Sequence, residues 1–235
     1  MQLRESMINL AITCGLVLLV IIAAVFLREC RPVPSAIPVA IARPAASDPN
    51  DKPAPLPKGP VERPVEARFL TFPNSRLLDS PSNEADTLHL KVANEDHVFV
   101  LYWVDALDAS STHPDRVNEQ AAFFGKASPQ AVVETGKEAF AYVKELLTTR
   151  KFLVLTRWER MPNTERYYAL IRVEFEPGKW AYLADLLMRQ GYARVTGLQT
   201  PLPDNLPSEE AYAVELLEHG KHARKKKLGI WSRVN

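Results

Sequence analysis

The chain has 235 residues, 46% hydrophobic and 24% charged, with a formal net charge of +1, which suits one ordinary globular core. That balance excludes a generally basic nucleic-acid coat. Its two cysteines, Cys14 and Cys30, lie in or beside the first apolar segment, so the folded part carries no thiol and no disulfide framework.

From Met7 to Leu27 no side chain is charged, and a run of that length matches the ~20 residues that cross a bilayer core. A signal peptide has a shorter apolar core with small residues close behind it, whereas Arg28, Glu29, Cys30 and Arg31 follow here. The expectation is a retained transmembrane anchor over residues 1–30 and a single-pass membrane protein. The Lys/Arg count, Arg4 before the run against Arg28 and Arg31 after it, points to a cytoplasmic domain. A short N-terminal tail followed by a long stalk points to an exported one, and the folded domain is expected on the extracytoplasmic side.

Ten of the nineteen prolines fall between Arg31 and Pro64. Residues 31–65 therefore read as a semi-rigid, polyproline-like spacer, long enough at ~3.1 Å per residue to hold a domain up to ~100 Å from a membrane.

Residues 66–235 carry the periodicities of an α+β domain. "DTLHLKV" and "HVFVLYWVD" are strand-like runs around "ANED", which suits a hairpin. "KFLVLTRWER" and "RYYALIRVEF" repeat the design around "MPNT". In "GKEAFAYVKELLT" the residues Phe140, Val143, Leu146 and Leu147 form a helical stripe. "KWAYLADLLMRQG" puts Trp180, Leu183, Leu186 and Leu187 on another stripe and ends at Gly191, a left-handed C-cap. A last helix opens at Ser208 and runs into "HGKHARKKK", read as a solvated basic face. "DRVNEQAAFFG", Asp115 to Gly125, reads as a loop that Phe123 and Phe124 pack against the core. Strands first and helices later suggest a small antiparallel barrel. Closing it brings the strand end at Asp105 beside the strand start at Asp86, 19 positions earlier.

"DTLHLKV", "FVLYWVDALD", "ERYYALIRV", "GKWAYLADLLMRQGYARV" and "KHARKKKLGIWS" resemble the thermonuclease family, the staphylococcal-nuclease-like fold, over roughly Arg68 to Ser232. The resemblance implies a five-stranded OB-fold barrel with three packed helices and a Ca²⁺-dependent phosphodiesterase site acting on single- or double-stranded DNA or RNA. It implies that Asp86, Asp105 and the Ala106 carbonyl hold the metal, as hard oxygens suit calcium. Asp108 stands at the family's general-base position, one methylene shorter than the usual Glu, and Arg166 at the position of one phosphate-binding arginine.

Besides Asp108, three features depart from the family pattern. Val100 stands where a second arginine belongs. Asn163 and Thr164 replace a lysine and a tyrosine, and Gly197 and Gln199 replace two pocket tyrosines. Two functions follow as expectations: a membrane-tethered metal-dependent nuclease, or a nuclease-like module that binds nucleic acid or protein without useful catalysis. His113, His219 and His222 show no metal-ligand partner set in the sequence, and no obligate protein partner is evident.

Overall fold

The computed structural model describes residues 64–125, 127–203 and 207–234. The apolar run 7–27 and the spacer as far as residue 63 lie outside them. Among the described residues, no helix is long and apolar enough to cross a membrane.

The "DTLHLKV" and "HVFVLYWVD" runs become β3 (Thr87–Val92) and β4 (Glu95–Leu101), antiparallel with Thr87 opposite Val100 and Val92 opposite Glu95. Leu88, Leu90 and Val92 are buried in alternation with half-buried His89 and Lys91, the period of a strand with one face on a core. Ala93 and Asn94 join the two strands with φ of 51° and 69°. Two positive φ values make the tight hairpin turn whose twist matches its strands. β6 (Phe152–Thr156) and β7 (Arg166–Glu176) pair antiparallel as expected, and β7 also pairs in parallel with β4, Val98 lying opposite Arg166.

The main sheet runs β1-β6-β7-β4-β3-β2, with β8 (Lys179–Tyr182) added to β7. Its two end strands, β1 (Leu70–Phe72) and β2 (Arg76–Leu77), are separated in sequence by residues 73–75 alone. A second, two-stranded sheet pairs β5 (Val104–Ala106) with β9 (Ala193–Val195).

Four α-helices are present among the described residues, where three were expected. The added one is α1 (Pro114–Phe123), in the segment read as a loop. It buries Val117, Gln120 and Ala121 against Leu107, Phe124, Val132 and Ile230. Phe124 is buried as expected, but Phe123 is 54% exposed.

α2 (Pro129–Thr149) starts at Ser128, whose hydroxyl accepts from the Ala131 N–H at 3.1 Å, and buries Val143, Leu146 and Leu147. α3 (Leu183–Gln190) begins later than the apolar stripe suggested, because Lys179 to Tyr182 extend as β8, with Trp180 opposite Glu174. Gly191 ends α3 at φ 70°. α4 (Glu209–Lys226) opens on Ser208, with Glu209 and Glu210 in its first turn and Arg224, Lys225 and Lys226 in its last, as the helix dipole favours. Lys221, His222 and Arg224–Lys227 are solvent-exposed, as the basic-face reading expected.

The expected strand from His97 to Asp105 is broken. Tyr102 N–H bonds the Ala169 carbonyl at 3.1 Å, Trp103 turns through φ 77°, and the chain resumes as β5. Trp103 fills the core on α4's Tyr212, ring centroids 5.3 Å apart, and its indole N–H donates to the Thr200 carbonyl. This kink turns Asp105 away from the main sheet.

α2 crosses the loop after β5 at Gly136, where a Cβ would lie 2.3 Å from the Asp108 carbonyl oxygen. Backbone cannot move aside as a side-chain tip can. Gly136→Ala is therefore expected to destabilise the protein by about 1–3 kcal/mol. Thermal unfolding checks this, and an unchanged midpoint would contradict the close approach.

Candidate functional site

An open cleft of about 670 Å³ lies over the β4 and β7 ends and the β5–α1 loop. Glu84, Asp86, Asp105 and Asp108 supply its carboxylates, and Arg116, Arg166 and Arg194 its guanidiniums. Every residue expected from the sequence to act thus meets in one place, save that Ala106 stands just behind the lining.

Asp86 precedes β3, where its backbone carbonyl accepts from the Leu101 N–H at 2.9 Å. Its side chain turns inward, only 4% exposed. One carboxylate oxygen accepts from the Ala106 N–H at 2.7 Å and the other from the Thr87 hydroxyl at 3.1 Å. Burial, reinforced by the Asp105 charge, pushes the Asp86 carboxyl up to about 7.

Asp105 lies in the middle of β5, opposite Arg194 of β9. One of its oxygens accepts from the Arg194 Nε at 2.7 Å, and the other is paired with Arg116. Asp108 is also buried and accepts from the Arg116 Nε at 2.6 Å. Arg116 thus bridges both acids. Burial opposes its charge, but Asp105 and Asp108 outweigh that and hold its proton above the ordinary arginine value.

Gln120 of α1, fully buried, pins the loop from behind. Its amide nitrogen donates to the Ala106 carbonyl at 2.9 Å, and its amide oxygen accepts from the Asp108 N–H at 3.0 Å. The Ala106 carbonyl keeps a second lone pair.

Arg166 is exposed at the start of β7; its backbone N–H donates to the Thr164 hydroxyl at 3.1 Å, while its guanidinium makes no ion pair or hydrogen bond among the described residues. Glu165 pairs with Arg160 and Glu159 with Arg157 at 2.9 Å, while Glu84, without a direct ion pair to Arg166, feels its charge across the cleft. Val100 forms part of the cleft wall, so no charge comes from that position.

A family model described as staphylococcal nuclease homologue matches residues 99–233. The chain belongs to this family. The matched span opens on β4, later than the Arg68 at which the sequence resemblance starts, so it leaves out Asp86. No curated protein matches the chain.

Within this nuclease-like domain, sequence reading did not assign Glu84, Arg194 or Gln120 to the site. Arg194 and Gln120 act through partners 89 and 14 residues away, in separate elements. Arg194 is further fixed by Glu119 at 2.9 Å and lies over the Phe123 ring. The reading of the histidines needs one correction. Asp185, Glu215 and His219 place one ligand-type atom each within 4.8 Å of one another between α3 and α4. Arg189 Nε donates to His219 Nε2 there at 3.3 Å, so a cation already faces that group.

The raised Asp86 carboxyl has a signed consequence. Its contribution to stability is full below the unfolded value of 3.8 and is lost as pH rises through about 7. Asp86→Asn removes that loss. Its melting temperature should exceed that of the wild type by about 5 °C or more at pH 8.5, and by much less at pH 4. An equal difference at both pH values in calorimetry would contradict a buried, like-charged neighbour for Asp86.

Proposed function

We propose that this chain is a membrane-tethered, Ca²⁺-dependent nuclease that hydrolyses phosphodiester bonds in single- or double-stranded DNA or RNA. The reading rests on one observation above the others: Asp86 and Asp105 are buried side by side, and Asp105 raises the Asp86 proton affinity. Like-charged carboxylates out of water call for a cation between them. The donor set fits a hard divalent ion, because Asp86, Asp105 and the Ala106 carbonyl offer oxygen alone.

Asp86, Asp105 and Ala106 are assigned to hold the ion. An ion held by these oxygens would supply Lewis-acid polarisation of a phosphate oxygen and would make a bound water more acidic. Asp108 is the acceptor for the proton of the attacking water. Arg166, unpaired and facing the cleft, donates to phosphate oxygens as charge builds on them.

The same reading takes the sheet path as a closed OB-type barrel, since its end strands β1 and β2 are nearly continuous in sequence. Residues 1–30 are assigned as the anchor, 31–65 as the spacer and 66–235 as the catalytic domain, outside the cytoplasm. A binding module without useful catalysis is the second reading. Val100 in the cleft wall and the two guanidiniums already on Asp105 favour it.

The full chain in mild detergent, given single-stranded DNA and RNA, separates the two. The nuclease is expected to cleave with Ca²⁺, to stop with chelator and to lose cleavage in Asp105→Ala. Arg166→Ala should lower kcat by about 10²–10³-fold. Binding without cleavage under every metal condition would establish the module instead.

A further inference from the structure

Arg116 enters the site from a helix that gives it little reason to be there. It lies in the first turn of α1, where the dipole disfavours a cation, and the His113 N-cap makes no side-chain cap bond. Its guanidinium bridges Asp105 and Asp108, while its side chain is 43% exposed and has no further ion-pair partner among the described residues. Arg194 differs. It is 10% exposed and clamped by Asp105 and Glu119 together. Of the two cations on Asp105, Arg116 is therefore the releasable one.

Arg116 covers one carboxylate assigned to the divalent ion, Asp105, and the carboxylate assigned as the base, Asp108. It occupies one oxygen of Asp105 and one of Asp108, leaving Asp105 with Arg194 as its cation and the Gln120 amide at 3.3 Å once it departs. It also lines the same cleft as Arg166. We propose that Arg116 is a built-in counter-cation that closes the carboxylate site, leaves Asp105 and Asp108 when the divalent ion binds, and then meets the substrate phosphate in the cleft it shares with Arg166. This rests on the metal-dependent reading of the site and adds its regulation. It also provides a second guanidinium where Val100 offers none.

Such an exchange has two effects of opposite sign. A ligand that must displace a contact held about 90% of the time binds about tenfold more weakly than the bare site would allow. Removing Arg116 should therefore tighten Ca²⁺ and weaken the phosphate ligand. A residue that merely propped up the loop would weaken both.

Calorimetric titration of the full chain with Ca²⁺ alone, then with a short single-stranded phosphorothioate DNA oligonucleotide, which resists hydrolysis, at saturating Ca²⁺, reads both effects. Arg116→Gln removes the charge and shortens the side chain but keeps an amide donor, and Arg116→Ala removes the polar end altogether. The expected result is Ca²⁺ binding about tenfold tighter in both variants, with oligonucleotide binding about tenfold weaker. Ca²⁺ uptake by the variants but not the wild type also supports the exchange. Unchanged or weaker Ca²⁺ binding in both variants, with uptake by the wild type, overturns it and leaves the nuclease reading standing. No uptake by any of the three proteins, even with oligonucleotide, overturns the metal reading and the exchange with it.

Discussion

The Ala106 N–H reaches the Asp86 carboxylate at 2.7 Å, and the placement of the whole cleft follows from that bond. It ties β5, in the two-stranded sheet, to the start of β3 in the main sheet. Asp105 precedes Ala106 by one residue, so tying one places the other. The result is two carboxylates out of water beside one another, which a fold retains at a cost unless a positive charge answers them.

Three guanidiniums answer four acids in this cleft, and they do so differently. Arg194 is built in, held from β9 by Asp105 and Glu119. Arg116 is half out in solvent and bonded to the two acids nearest the expected chemistry. Arg166 is uncommitted. A fixed, a releasable and a free cation around buried carboxylates fit a polyanionic phosphate ligand, because such a ligand replaces the interactions it disrupts.

Much of this was legible in the sequence because it is local. The turn at Ala93 and Asn94, the cap at Gly191 and the N-cap at Ser208 each follow from side chains within a few residues. So do the alternating strands β3 and β4. The meeting of Asp86 with Asp105 was legible through the fold the family resemblance implied. What escaped was short or non-local. "KWAY" is too short for periodicity to separate strand from helix, and β7 settles it by pairing. α1 lacks a side-chain cap and is held by Leu107, Phe124 and Ile230 instead. Trp103's turn out of the strand depends on a cavity against Tyr212 that no neighbour in sequence announces. Arg194 and Gln120 reach the acids only after β9 and α1 have packed.

Titrating the Asp86 carboxyl by carbon-detected NMR, with and without Ca²⁺, tests the shared cation most directly. A midpoint near 7 without calcium that falls when millimolar Ca²⁺ is added is the expected result. A midpoint near 4 in both conditions would contradict it, for Asp86 would then be neither pressed by Asp105 nor neutralised by the ion.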